Sequence, residues 1–131
     1  MSNTIARTAR VLLADDHPEL LAQTGAVLAD DFDIVGSVAD GVELIRAALD
    51  LKPDVVVLDI TMPRMDGIEA AWRLLHLDCH AKFVFLSIHE DPDYVSAALR
   101  AGGTAYVVKS RMASDLIEAI HEALAERRFV S

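Results

Sequence analysis

Short, continuously apolar runs alternate along this chain with longer stretches in which apolar positions return every three to four residues. A run such as Val55-Val56-Val57-Leu58 suits a strand covered on both faces, whereas the longer period suits a helix with one buried stripe. Strands are predicted at 10–14, 33–38, 54–58, 82–87 and 105–108, each followed by a helical segment. Repeated strand-helix units of this kind build an α/β domain, a parallel sheet with helices on either side.

Caps and breakers set the helix limits. Pro18 fits the first turn of helix one, whose stripe is Leu20, Leu21, Thr24, Val27 and Leu28. Asp40 before Gly41 caps helix two, which turns Leu44, Ile45, Ala48 and Leu49 inward and stops before Pro53. Asp66 before Gly67 starts helix three, with Ile68, Ala71, Trp72 and Leu75 expected inward. Asp91-Pro92 opens helix four, and Gly102-Gly103 supplies its left-handed exit. Helix five covers 112–126, with Leu116, Ile117, Ile120, Ala123 and Leu124 on one face.

Composition narrows the class. A chain of 131 residues that is 53% apolar and 25% charged fits one globular domain. Residues 1–9 read as an N-terminal extension, 10–128 as the domain, and 129–131 as the start of a linker or the C-terminus. Twelve basic against 21 acidic residues leave a formal charge of −9, which opposes direct binding to a nucleic-acid backbone. Cys79 stands alone, so an intrachain disulfide is impossible, and a reducing cytoplasm is the expected location. No stretch approaches the ~18 apolar residues of a membrane span, so no membrane partner is expected.

Right-handed crossovers that cover both faces of an open sheet force its winding to reverse, and ligands bind beyond the carboxyl ends of the strands at that reversal. The residues at or just past the predicted strand ends are Asp15, Asp16, Asp59, Ser87 and Lys109. Carboxylates brought that close repel one another unless a cation lies among them, and an all-oxygen donor set favours Mg²⁺. No organic cofactor is expected. With its charge offset, Asp59 can attack phosphorus and form an acyl phosphate, while Lys109 and the Ser87 hydroxyl hold phosphoryl oxygens. Each residue alone could be a helix cap or a solvated charge. Their recurrence at successive strand ends favours a shared site.

The segments LLADDHPEL, VVVLDITMPRMDGIEA, FVFLSIHEDPDYVSAAL and AGGTAYVVKS resemble the receiver domain of bacterial two-component response regulators over nearly the whole chain. The resemblance implies a flavodoxin-like, doubly wound sheet of five parallel strands in the order 2-1-3-4-5, with five helices. It implies that Asp16 ligates Mg²⁺ directly, Asp15 holds it through water, Asp59 is both ligand and phosphoacceptor, and the Thr61 main-chain carbonyl completes the protein ligands. It makes Ser87 and Lys109 the phosphoryl contacts and Tyr106 the aromatic switch. Thr61 and His89 are expected to set the lifetime of the phosphoryl group. Ser110 stands where many receivers carry proline. On the same reading the protein is a signalling domain and not an enzyme that turns over outside substrates; its expected partners are a sensor histidine kinase and a second copy of itself.

ADDHP, GGTAYVVKS and DPDYVSAALRAG are most similar to NarL/LuxR-type receivers, which precede a helix-turn-helix DNA-binding domain. No such domain lies within these residues, so either a free-standing receiver or, as favoured, a piece of a longer transcription regulator is implied. In the switch, the Ser87 hydroxyl is expected to turn toward the phosphoryl group and Tyr106 to choose between buried and outward rotamers, altering helix four, strand five and helix five. A Mg²⁺-dependent phosphohydrolase of the haloacid dehalogenase type is disfavoured, because Thr61 occupies the place of its second aspartate. A flavin or nucleotide carrier would need a phosphate-cradling loop where Asp15-Asp16 stand. His76, Cys79 and His80 have a zinc-like spacing but are read as lying across the end of helix three. His17, next to the acidic pair, could tune metal or phosphate access, but is read first as a partly exposed residue at a helix start.

Overall fold

Alternate residues of the central strands face two separate cores. Leu12, Val56, Leu58, Phe83, Phe85 and Tyr106 point to one side, and Val11, Val55, Val57, Val84, Leu86 and Val107 to the other. The computed structural model describes residues 8–131. In chain order the elements are β1 (Arg10–Ala14), α1 (Pro18–Leu28), β2 (Asp33–Val38), α2 (Gly41–Leu51), β3 (Val55–Leu58), α3 (Gly67–His76), β4 (Lys82–Ser87), α4 (Pro92–Arg100), β5 (Gly103–Val108), α5 (Met112–Leu124) and β6 (Phe129–Val130). One turn of 3-10 helix, Lys109–Arg111, joins β5 to α5. α2, α3 and α4 cover the first face through Leu44, Leu74 and Ala98, and α1 and α5 cover the second through Leu28, Leu116 and Ile120.

Every strand pair is parallel, and the order is β2-β1-β3-β4-β5-β6. The sheet thus has six strands, not the five expected. Residues 129–131, which carry no strand pattern of their own, return beside β5. Ala105 pairs with Phe129 and Tyr106 with Val130, and the Ser131 N–H donates to the Tyr106 carbonyl at 3.0 Å. Two residues are too few for periodicity to mark, so this strand exists through tertiary pairing alone.

Helix phases needed correction at their outer edges. Trp72 and Leu75, expected inward, are 49% and 48% exposed, because α3 buries Ala70, Ala71 and Leu74 instead. The inner face of α3 is formed by Ala70, Ala71 and Leu74, and the bulky residues read as core lie one position around it. Leu49 and Leu124 are likewise partly exposed, at 42% and 36%. β3 starts at Val55 and β5 reaches back to Gly103, so only Gly102 (φ 110°) forms the left-handed exit of α4. α5 ends at Leu124. The described residues contain no cis peptide, including the Lys109-Ser110 bond. No described helix is long and apolar enough to cross a membrane.

Two glycines differ in what they permit. Gly67 begins α3 directly against β3, where an added Cβ would stand 2.0 Å from the Asp59 carbonyl oxygen. Gly25 lies within α1 and its Cβ would meet only Leu13 Cδ1 at 4.0 Å, an ordinary contact. Gly25→Ala is expected to stabilise the fold by about 0.5–1 kcal/mol through helix propensity. Gly67→Ala is expected to destabilise it by about 1–3 kcal/mol through overpacking. Urea unfolding of both variants checks the pair; equal effects would show that the α3–β3 approach is not as tight as described.

Candidate functional site

The winding reverses between β1 and β3, which lie side by side in register from Val11↔Val55 to Ala14↔Leu58. Their carboxyl ends deliver Asp15 and Asp59 to neighbouring places. The Asp15 N–H donates to the Val38 carbonyl at 3.0 Å and the Asp59 N–H to the Ala14 carbonyl at 2.9 Å, so both residues belong to the sheet's hydrogen-bonded frame. Asp15 is 5% and Asp59 6% exposed. Lys109, just past β5, reaches across the strand ends, and its ammonium donates to Asp15 Oδ2 at 3.0 Å and Asp59 Oδ2 at 3.2 Å. The remaining oxygen of Asp59 accepts the Ile60 N–H at 2.8 Å.

Asp16 is the least satisfied member. Its Oδ1 is buried and receives no well-directed hydrogen bond, although the His17 ring nitrogen Nδ1 lies 3.1 Å away. Ligand atoms of Asp15, Asp16, His17 and Asp59 all lie within 4.8 Å of one another. Ser87 ends β4 fully buried, and its hydroxyl oxygen accepts the His89 N–H at 3.1 Å.

The sequence model of the family described as response regulator receiver domain matches residues 11–121. This chain belongs to that family. The receiver is 34% identical over 127 residues to the nitrate/nitrite response regulator protein NarL of Escherichia coli K12, covering 94% of this chain and 58% of that protein. It is 35% identical over 116 residues to the transcriptional regulatory protein LiaR of Bacillus subtilis, covering 87% of this chain and 55% of that one. Among solved structures, a LuxR-family two-component response regulator from Aurantimonas superposes with a TM-score of 0.89 at 33% identity, covering 94% of this chain and 89% of that chain. The receiver thus spans a little over half the length of the curated relatives it matches.

Receivers of this family bind Mg²⁺ at an acidic pocket, and the donors here suit such an ion. Three carboxylates face one ammonium, so negative charge is in excess. A buried carboxylate oxygen without a hydrogen bond is the kind of atom that a small, hard cation satisfies. Burial pushes the Asp59 carboxyl above its ordinary pKa, Lys109 pulls it back, and the Asp15 charge raises it further. His17 is raised by its bond to Asp15 and by the Asp16 charge. Sequence reasoning set His17 aside as a residue at a helix start. It is one, the N-cap of α1, but it also faces the acidic pair, a contact that the adjacency Asp15-Asp16-His17 already carried.

Tyr106 is fully buried in this receiver, and its hydroxyl donates to the His89 carbonyl at 2.8 Å. The His89 ring stacks on Tyr94 of α4 with centroids 4.0 Å apart. One residue therefore touches Ser87, Tyr106 and α4 together, and most of that junction is main chain, which side-chain reasoning does not reach. Thr61 stands exposed two residues beyond Asp59. His76 and His80 do not share a helical face: α3 ends at His76, whose Nδ1 lies 2.8 Å from the Trp72 carbonyl, and Asp78 is left-handed with φ 59°.

A carboxyl held above its unfolded pKa costs stability while ionised. Between the two pKa values the folded state binds more protons than the unfolded state, so stability falls as pH rises through that window and the cost is complete above it. Asp59→Asn removes the cost. In Mg²⁺-free buffer the variant is expected to unfold at higher urea than wild type at pH 7, with the difference shrinking as pH falls toward about 3.9. A difference that stayed constant with pH would assign the gain to something other than the Asp59 charge.

Proposed function

We propose that this receiver takes a phosphoryl group from the phosphohistidine of a sensor histidine kinase onto Asp59 and changes an output surface in response. The observation that carries the reading is the Lys109 ammonium lying between the buried Asp15 and Asp59 carboxylates at the reversal of the sheet. Asp16 and Asp59 would hold Mg²⁺ directly, Asp15 through water, and Thr61 through its main-chain carbonyl. When bound, the ion offsets the charge of the carboxylates and of the incoming phosphoryl oxygens.

In the transfer, an Asp59 carboxylate oxygen attacks phosphorus, the phosphorus–nitrogen bond of the donor breaks, and the imidazole leaves and takes up a proton. Lys109 need not travel to take part, because its stem is already extended to the oxygen that reacts; it exchanges a carboxylate partner for a phosphoryl oxygen. Ser87 can turn its hydroxyl from the His89 loop to a second phosphoryl oxygen. That rotation loosens the bond from the His89 N–H, and His89 also holds Tyr106 and Tyr94, so the change reaches α4 and β5. Tyr106 is buried with its hydroxyl on the His89 carbonyl, so the loop that carries His89 couples the ring to Ser87, and the choice between buried and outward rotamers is the switch assigned to it.

The likeness to NarL and LiaR supports a role in transcription regulation through a helix-turn-helix domain outside these residues. The charge of −9 makes direct nucleic-acid contact by this segment unfavourable. A second copy of the receiver is a further partner.

Acetyl phosphate with Mg²⁺ is expected to add one phosphoryl group to wild type, seen by intact-mass spectrometry, and none to Asp59→Asn. Equal labelling of the variant, or full labelling in chelator, would reject Asp59 as the acceptor. Ser87→Ala is expected to keep accepting the group while losing most of the response of α4 and β5. Amide NMR shifts with and without beryllofluoride test this, and equally large changes at residues 95–99 in both proteins would remove Ser87 from the switch.

A further inference from the structure

The loop of residues 61–66 leaves β3 beside Asp59 and returns to the same place. At its base the Gly67 N–H donates to the Ile60 carbonyl at 2.7 Å. On its α2 side the main chain of Met65 lies against Gly41, where an added Cβ would stand 2.2 Å from the Met65 carbonyl oxygen. Between these anchors Arg64 has φ 67°, a left-handed conformation that long side chains rarely adopt. Such a conformation persists where its surroundings hold it.

Two contacts hold it: the Met65 N–H donates to the Pro63 carbonyl at 2.8 Å and closes a tight turn around Arg64, and Asp40 fixes the side chain. The Arg64 guanidinium donates through Nε at 3.1 Å and Nη2 at 2.9 Å, both to Asp40 Oδ2. The other oxygen, Oδ1, accepts the Glu43 N–H at 2.8 Å and caps α2. Asp40 is 8% exposed. One nearly buried carboxylate is thus shared between a helix and a loop. Asp40 also follows Val38 by two residues, and Val38 accepts the Asp15 N–H. A closed path runs from Asp15 through Val38, Asp40 and Arg64 back along the loop to Asp59, which is bonded to Ala14 beside Asp15.

We propose that Asp40 and Arg64 are positioning residues for the divalent-cation site, a clamp that holds the Thr61 carbonyl in register with Asp15 and Asp59; this rests on the cation reading above. Ile60 and Met62 are buried on either side of Thr61, and Pro63 has a fixed φ. With Ile60 anchored at one end and Arg64 at the other, the three residues between them have little freedom. Releasing Arg64 lets its backbone leave the left-handed region, and the carbonyl moves with it. An ordinary surface ion pair would have no such effect on a site it does not touch.

Calorimetric titration of the whole chain with Mg²⁺ tests the clamp. Arg64→Ala and Asp40→Asn are each expected to weaken binding by about tenfold, as supporting-residue changes around metal sites do. Asn keeps the α2 cap acceptor, so an unchanged circular dichroism spectrum and urea midpoint would exclude loss of the helix as the cause. The double variant is expected to be no weaker than either single one, and Arg64→Lys to recover part of the loss. Wild-type affinity in Arg64→Ala, alongside loss of binding in Asp16→Asn, would overturn the clamp and leave the cation reading standing. No Mg²⁺ binding by wild type, or binding indifferent to Asp16→Asn, would overturn both.

Discussion

Two carboxylates buried side by side make an unstable arrangement, and the ammonium of Lys109 is the group that makes it tolerable in the absence of a cation. Burial works against ionised Asp59 and so does the charge of Asp15; only Lys109 and the Ile60 N–H favour it. The rest of the architecture serves this contact. Four residues of β1 and four of β3 run in register so that their acidic ends coincide, and β5 lies two strands from β3, a gap that a long lysine stem can bridge. A shorter or branched cation at position 109 could not cross β4 to reach both acids. The site is therefore strained electrostatically, with two carboxylates and one ammonium aligned across the ends of β1, β3 and β5.

Much of this was legible in the chain. Asp15, Asp59, Ser87 and Lys109 fall at strand ends because continuous apolar runs stop there, and parallel topology sends those ends to one edge; that inference needed only periodicity and the handedness of crossovers. Asp16 follows Asp15 past the same strand end, and family resemblance added Thr61 and Tyr106. The misread positions share a cause. Trp72, Leu75 and, in α2, Leu49 were read inward because they are large and apolar, yet α3 turns Ala70, Ala71 and Leu74 to the core and α2 turns Leu44 and Ala48, so volume is a poor guide to which face of a helix is buried.

The Arg64–Asp40 pair and the His89 junction were not legible, for a different reason. Both depend on backbone conformation, a left-handed arginine in one case and a main-chain N–H and carbonyl in the other, and neither leaves a composition or spacing signal. The acidic residue before Gly41 was read correctly as a cap, but capping uses one carboxylate oxygen, and nothing in the order of residues reveals what becomes of the second.

β6 changes what kind of surface the strand bearing Tyr106 and Lys109 can offer. Were β5 the last strand, its outer N–H and carbonyl groups would be open to any extended peptide by strand addition. Instead the Tyr106 carbonyl is taken by the Ser131 N–H, and the Val108 N–H by the Ser131 hydroxyl at 2.9 Å. Phe129 and Val130 thus cover the outer edge of β5 at Ala105 and Tyr106. Partners that read the state of β5 must do so through side chains of α4 and α5 or by first displacing Phe129 and Val130, which turns the backbone of the signalling strand from an open edge into a guarded one.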